Sequence, residues 1–259
     1  MKRALLSGSL LVLALAAARP AAALSQAETD KIIEEIDLRQ HNTGDYASQV
    51  YLERKERNKN DINYEALVYR RGANQKLVIL FQKPKEESGK GYLRIDKNLF
   101  VYDPTVGKWE RRTERERIAG TDSRRNDFDE SRFHVEFTAQ WVADEKLGKY
   151  DVHHIRLTQK PNVDVAFPIV EMWVDAASGN IMKQQEFALS NRLMRTSYYP
   201  KWDKVFSESK GADVYVWEEA LIKDEVEVGN QTRMKLLKVD LHSLEDSIFT
   251  KAWLEARSR

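Results

Sequence analysis

The densest run of side chains that could do chemistry lies between Lys108 and Phe133. The 259 residues include no cysteine and five histidines. Thiol catalysis and disulfides are thereby excluded. A nucleophile would have to be a serine such as Ser123 or Ser131 drawing on one of those few imidazoles. No Gly-x-Ser-x-Gly elbow occurs, so no residue is assigned a catalytic role. The expectation is a protein that is not an enzyme, with a lipid-acting hydrolase as the alternative.

No metal centre or cofactor is expected either. His153 and His154 are adjacent in a strand-like run, which directs them to opposite faces and keeps them from one ion. Asp122, Asp127, Asp129 and Glu130 are numerous enough for calcium, but they lack the loop spacing and the glycine that such a site uses. Arg124 and Arg125 suit a lipid head-group phosphate or an acidic patch on a partner. Pairing with Asp122, Asp127 or Asp129 in the same segment is the simpler use of them.

The segment that holds these groups, Lys108 to Phe133, carries eight basic and seven acidic residues among 26. Near-cancellation argues against nucleic acid, which needs a clustered cationic excess. The segment is too charged for core, yet Ile118, Phe128 and Phe133 punctuate it and could dip into an interior. Residues 110 to 132 therefore read as a lid or gate between strands.

The chain opens with Met1-Lys2-Arg3, an apolar run from Ala4 to Ala18 and then Ala21-Ala22-Ala23, the parts of a secretory signal peptide. Residues 1–23 are read as that signal and 24–259 as one domain, since no Pro/Gly/Ser-rich linker or repeat divides them. The run is too short for a membrane span of ~20 residues. Without it, 39 basic residues face 41 acidic ones, so nothing steers the whole molecule to an anionic polymer.

Ser25 and Glu28 form a capping box ahead of Ile32, Ile33 and Ile36, which predicts a helix over about 26–38. From Asp45 the apolar period becomes two. Strands are expected over 46–57, 61–71, 75–82, 91–95, 98–102 and through Trp109, with turns at Arg71–Asn74 and Asp96-Lys97. Further strands are expected over 150–159, 169–174, 180–189, 193–199, 213–221 and 232–241. Ser243 with Asp246, followed by Phe249, Ala252, Trp253 and Ala256, predicts a closing amphipathic helix. Six Trp, ten Tyr and nine Phe in a chain of low mean hydropathy fit strands with one apolar and one charged face. The predicted fold is mainly β (α+β). A single curved antiparallel sheet forms an incomplete barrel, with N- and C-terminal helices and a mid-chain lid.

The run Gly91-Tyr92-Leu93-Arg94-Ile95, Leu99 to Pro104, Trp109 to Arg112 and Ile118 to Glu130 resembles the outer-membrane lipoprotein-sorting proteins of the LolA-like superfamily. The resemblance implies a periplasmic carrier with a half-barrel fold. Its apolar cavity would hold the acyl chains of lipoproteins or lipids and pass them from an inner-membrane ABC-type exporter to an outer-membrane acceptor. An envelope sensor of the same fold is the other binding reading, and a monomer is expected. The residues expected to line the cavity are Leu67, Tyr69, Leu77, Ile79, Phe81, Leu93, Ile95, Phe100, Tyr102 and Trp109.

Overall fold

The computed structural model describes residues 23–72, 76–95, 98–113 and 116–258. The signal-peptide expectation, apart from Ala23, lies outside the described residues. So do Ala73-Asn74 of one expected turn and Asp96-Lys97 of another.

Helix α1 (Gln26–Gln40) starts at the expected capping box: the Glu28 amide donates to Ser25 Oγ at 3.3 Å, and the Ser25 amide donates to Glu28 Oε2 at 2.8 Å. Two of an α-helix's otherwise orphaned N–H groups are satisfied this way. Ile33 and Ile36 are buried and fix the side that faces inward.

A first meander follows: β1 (Asp45–Lys55), β2 (Ile62–Arg71), β3 (Lys76–Lys83), β4 (Gly91–Ile95), β5 (Asn98–Asp103) and β6 (Lys108–Arg112). The second half adds β7 (Phe137–Leu147), β8 (Tyr150–Gln159), β9 (Ile169–Asp175), β10 (Ile181–Phe187), β11 (Leu193–Ser207), β12 (Ala212–Asp224) and β13 (Gln231–Asp240). Every strand pairs antiparallel with its sequence neighbour, except that β1 pairs β13 and β6 does not pair β7. The result is one 13-stranded sheet that is not closed into a barrel.

Three elements depart from the sequence expectation. Strand β7 was not foreseen, because its apolar alternation holds only for Phe137, Ala139 and Trp141 before a bulge and a charged stretch. Strand β11 runs on to Ser207, as register shifts between Tyr198 and Trp202 carry it past Pro200, the device by which a strand accommodates a missing N–H. The C-terminal helix, α3 (Lys251–Arg257), begins later than Ser243 suggested. Its cap is Thr250, whose hydroxyl accepts from the Trp253 amide at 3.2 Å, while Asp246–Phe249 forms a 3-10 turn.

Strands β6 and β7 are consecutive in the chain and sit at opposite edges of the sheet. The connection between them, described over residue 113 and residues 116–136, therefore leads from one edge of the sheet to the other. This strap contains the 3-10 turns Ile118–Gly120 and Arg125–Phe128 and the single-turn helix α2 (Phe133–Glu136). Strap and α1 share the inner face. Beneath the strap pack Val50, Leu52, Ala66, Val68, Ile79, Phe81, Ile222 and Met234; beneath α1 pack Phe137, Ile155, Leu157, Val170, Met172 and Ile181. On the opposite face of β2 to β6, α3 seats Leu254 against Val78 and Leu93. Gly91 permits this approach, because a Cβ there would stand 2.7 Å from Leu254. Strand β3 is thus covered on both sides, which accounts for its unbroken run Leu77 to Phe81.

Candidate binding site under the strap

The strap enters the sheet's interior through two apolar side chains. Ile118 is fully buried and Phe128 is 6% exposed, and both belong to the cluster formed by β1, β2, β3, β12 and β13. A tight loop presents Ile118: its amide donates to the Ser123 carbonyl at 2.8 Å, and Thr121 Oγ1 donates to the Ile118 carbonyl at 2.7 Å. At the apex, Ala119 takes the left-handed conformation with φ 49° and ψ 33°, which a Cβ-bearing residue rarely adopts. Two tyrosines from the sheet hold it there. The Ala119 amide donates to Tyr92 Oη at 2.9 Å, and Tyr64 Oη donates to the Ala119 carbonyl at 3.3 Å. Ser123 Oγ contacts Met234 Sδ at 3.1 Å, and among the described residues no histidine hydrogen-bonds to Ser123 or Ser131.

Charged groups clasp the strap to the same face. Arg195 of β11, 4% exposed, donates from Nη1 and Nη2 to the Asp127 carboxylate at 2.6 and 2.9 Å and also binds Glu186 of β10, with Nη2 to Oε1 at 2.8 Å. Burial alone would lower the pKa of this guanidinium. Asp127 and Glu186 outweigh that penalty and hold it above its ordinary value, whereas burial, with the like charge of Asp127 beside it, pushes the Glu186 carboxyl up despite Arg195. Arg94 donates to Asp129 at 2.7 Å, and Asp129 also takes Arg125. Arg70 lies 3.3 Å from Glu130, whose Oε2 is hydrogen-bonded to His41 Nδ1 at 2.7 Å. Further along, Asp122 receives Thr232 Oγ1 at 3.0 Å and Arg117 at 3.1 Å, and Arg117 also binds Asp224. Burial raises the Asp122 carboxyl above the usual carboxylate range despite these partners.

Two cavities flank the clasp. One of about 40 Å³ lies among Ser48, Arg70, Phe128 and Glu130, room for little more than a water molecule. The other, about 140 Å³, lies at the rim between Arg117, Arg124, Phe167, Met194, Arg195 and Asp224. A cavity of roughly 150 Å³ admits one benzene ring, so with the strap seated neither space holds a long alkyl chain. The side chains that fill the interior instead are Ile118 and Phe128.

A two-residue period produces two faces, and the ten residues expected to line one wall fall on both. Leu77, Ile79 and Phe81 lie under the strap. Leu67, Tyr69, Leu93, Ile95, Phe100, Tyr102 and Trp109 lie on the α3 face. There Tyr69 meets Trp253 edge-on at 5.5 Å, Lys251 stands over Phe100, and Trp109 donates to Glu255 at 2.6 Å. Of the three strap residues, Ile118 and Phe128 come together, while Phe133 packs with the α1 cluster, 6.2 Å from Phe137. Arg125 pairs with Asp129 as one sequence alternative had it. Arg124 offers its amide to Asp127 at 2.7 Å and its guanidinium to the Phe167 ring at 5.1 Å.

Sequence reasoning missed Arg70, Arg94, Glu186 and Arg195. The usable signal is phase. Arg70 follows Ala66 and Val68 at the strand period, so it is a charge on the apolar side, and such a charge must find a partner inside.

A family model described as an uncharacterized protein matches residues 73–256. No curated protein sequence matches the chain. Among solved structures, a LolA superfamily protein from Nitrosomonas europaea superposes with a TM-score of 0.72 at 21% identity, covering 90% of this chain and 100% of the other. A putative outer membrane lipoprotein-sorting protein domain from Vibrio parahaemolyticus gives 0.75 at 15% identity, covering 89% and 100%. A DUF1329 family protein from Desulfovibrio piger gives 0.77 at 15% identity, covering 88% and 98%. At these identities the likeness is one of fold.

Proposed function

Because the chain belongs to the family of uncharacterized proteins whose model spans residues 73–256 and has the LolA-like fold, we propose that it is an extracytoplasmic carrier of amphiphiles whose acyl chain replaces the strap's apolar plug. The observation that supports this reading most is the pair Ile118 and Phe128, carried on a charged connection and inserted into an otherwise continuous sheet face. Withdrawing them would expose Leu77, Ile79 and Phe81 as the wall of a groove. The charged remainder of the strap is water-compatible outside it.

The driving force is of the right size. Burying each methylene is worth ~0.8 kcal/mol, so a 16-carbon chain gains on the order of 12 kcal/mol on leaving water. Displacing Ile118 and Phe128 costs part of that, which leaves cargo held but exchangeable. Export across the inner membrane rests on the residue 1–23 pattern. Delivery between an inner-membrane ABC-type exporter and an outer-membrane acceptor is the finer form of the proposal; no helix among the described residues is long and apolar enough to cross a membrane.

The test is a staple. The chain has no cysteine, so an Asp122→Cys/Thr232→Cys pair introduces the only two, at positions where the Asp122 amide already reaches Thr232 Oγ1 at 2.8 Å. The reduced double variant should take up a polarity-sensitive fluorescent fatty acid saturably, and the oxidised form should not. Equal uptake in both states, with the disulfide verified by mass, would remove the strap from the mechanism.

A further inference from the structure

The 140 Å³ cavity at the strap's rim gathers three guanidinium groups, those of Arg117, Arg124 and Arg195, around the apolar surface of Phe167 and Met194. Two are neutralised by design of the fold. Arg195 holds Asp127 and Glu186, and Arg117 holds Asp122 and Asp224. The acids that line the cavity are occupied in turn. Asp224 takes Arg117 together with the amides of Val226 and Glu227 at 2.7 and 2.8 Å, Asp122 takes Thr232 and Arg117, and the Glu227 carboxylate takes Asn230 Nδ2 at 2.8 Å and stands 4.0 Å from Arg117. Arg124 differs. Among the described residues no carboxylate lies within ion-pair distance of its guanidinium, its Nε is buried without a partner, and its Cζ stands 5.1 Å from the centre of the Phe167 ring. Burial, with the like charges of Arg195 and Arg117, pulls it below its ordinary value although Asp127 and Glu186 act the other way, a condition an added anion would relieve.

We propose that this cavity seats the phosphate of an amphiphile's head group on Arg124, with Arg117 and Arg195 alongside, while the alkyl chain runs inward beneath the strap. The inference rests on the carrier reading and specifies its cargo class. A phosphate offers three acceptor oxygens to planar guanidinium forks, which a neutral head cannot do. The cavity adjoins the loop that carries Ile118, so a head at Arg124 would place its chain at the plug. Phe167 and Met194 would meet the first carbons of that chain.

The discriminating measurement compares two amphiphiles of one chain length, dodecyl phosphate and a dodecyl tetraethylene glycol ether, each titrated below its micelle concentration, with inorganic phosphate as a third ligand. The wild type should prefer dodecyl phosphate on the order of tenfold or more, the worth of one charge-assisted hydrogen bond. Arg124→Gln should bring that ratio close to one, and Arg124→Lys should keep most of it. Matched melting temperatures exclude misfolding of either variant. A ratio near one in the wild type, or a high ratio that survives Arg124→Gln, overturns the head-group site and leaves the carrier reading standing. Inorganic phosphate binding as tightly as dodecyl phosphate assigns the cavity to a free anion and overturns both. No binding of either amphiphile likewise overturns both.

Discussion

Arg195 is the residue on which the strap's closure turns. Its guanidinium is buried between Asp127 of the strap and Glu186 of the sheet, so its removal leaves carboxylates inside without a cation. Arg195→Met is expected to lower the unfolding free energy by ~3–5 kcal/mol in denaturant titrations. Arg195→Met/Glu186→Met should cost less than the single change, since it removes one of the stranded charges along with the cation. A double variant as damaged as the sum of the singles would contradict this account. Asp122 yields a pH test. Its folded carboxyl is raised above the unfolded value, so its contribution to stability is fully present below the unfolded pKa of ~3.9 and is lost as pH rises through the folded one. The stability of the wild type relative to Asp122→Asn should therefore fall as pH increases from ~4 toward neutrality. Melting curves across that range that stay parallel would show that Asp122 does not titrate as described.

At the scale of elements, the strap behaves as a connection and as a piece of core at once. Its route is forced by topology, because β6 and β7 are the two edges. Its hold combines a plug, a left-handed apex at Ala119 and a set of ion pairs. A lid lying loosely on the surface would lose less on Phe128→Ala than a core phenylalanine does. With the ring 6% exposed, the loss should instead fall within the ~3–5 kcal/mol typical of a buried Phe. If the strap opens as its own cooperative unit, that loss appears first in its own amides. Hydrogen exchange of Phe128→Ala should accelerate residues 117–129 more than β1 to β3. Equal acceleration in both would make the strap inseparable from the global core and end its role as a gate.

The whole molecule is a sheet with two differently used faces. The inner face carries α1 and the strap, and the outer face of β2 to β6 carries α3. Ile79 and Leu93, on neighbouring strands, are both fully buried but point to opposite faces. Each truncation to alanine should cost ~2–5 kcal/mol in stability. Only Ile79→Ala should also change fatty-acid uptake, measured at a temperature where both variants remain folded. Uptake altered equally by Leu93→Ala would place the ligand on the α3 face, where seven of the ten residues expected from sequence lie.

Local pattern was enough for the capping box at Ser25, the period-two runs of β1 to β6, the mainly β class and the lone apolar residues of the strap, because capping and alternation are properties of neighbouring residues. Strand β7 escaped because a bulge and three consecutive charged residues, Asp144 to Lys146, interrupt its alternation. What tertiary structure decided is which surface covers each face. Periodicity separates two sides of a strand without saying what lies against them, so Leu77 and Leu93 look alike in sequence although one meets the strap and the other α3. The partners of Arg195 are likewise a product of folding. Asp127 stands 68 residues away in the chain, and only the edge-to-edge course of the strap brings it to β11.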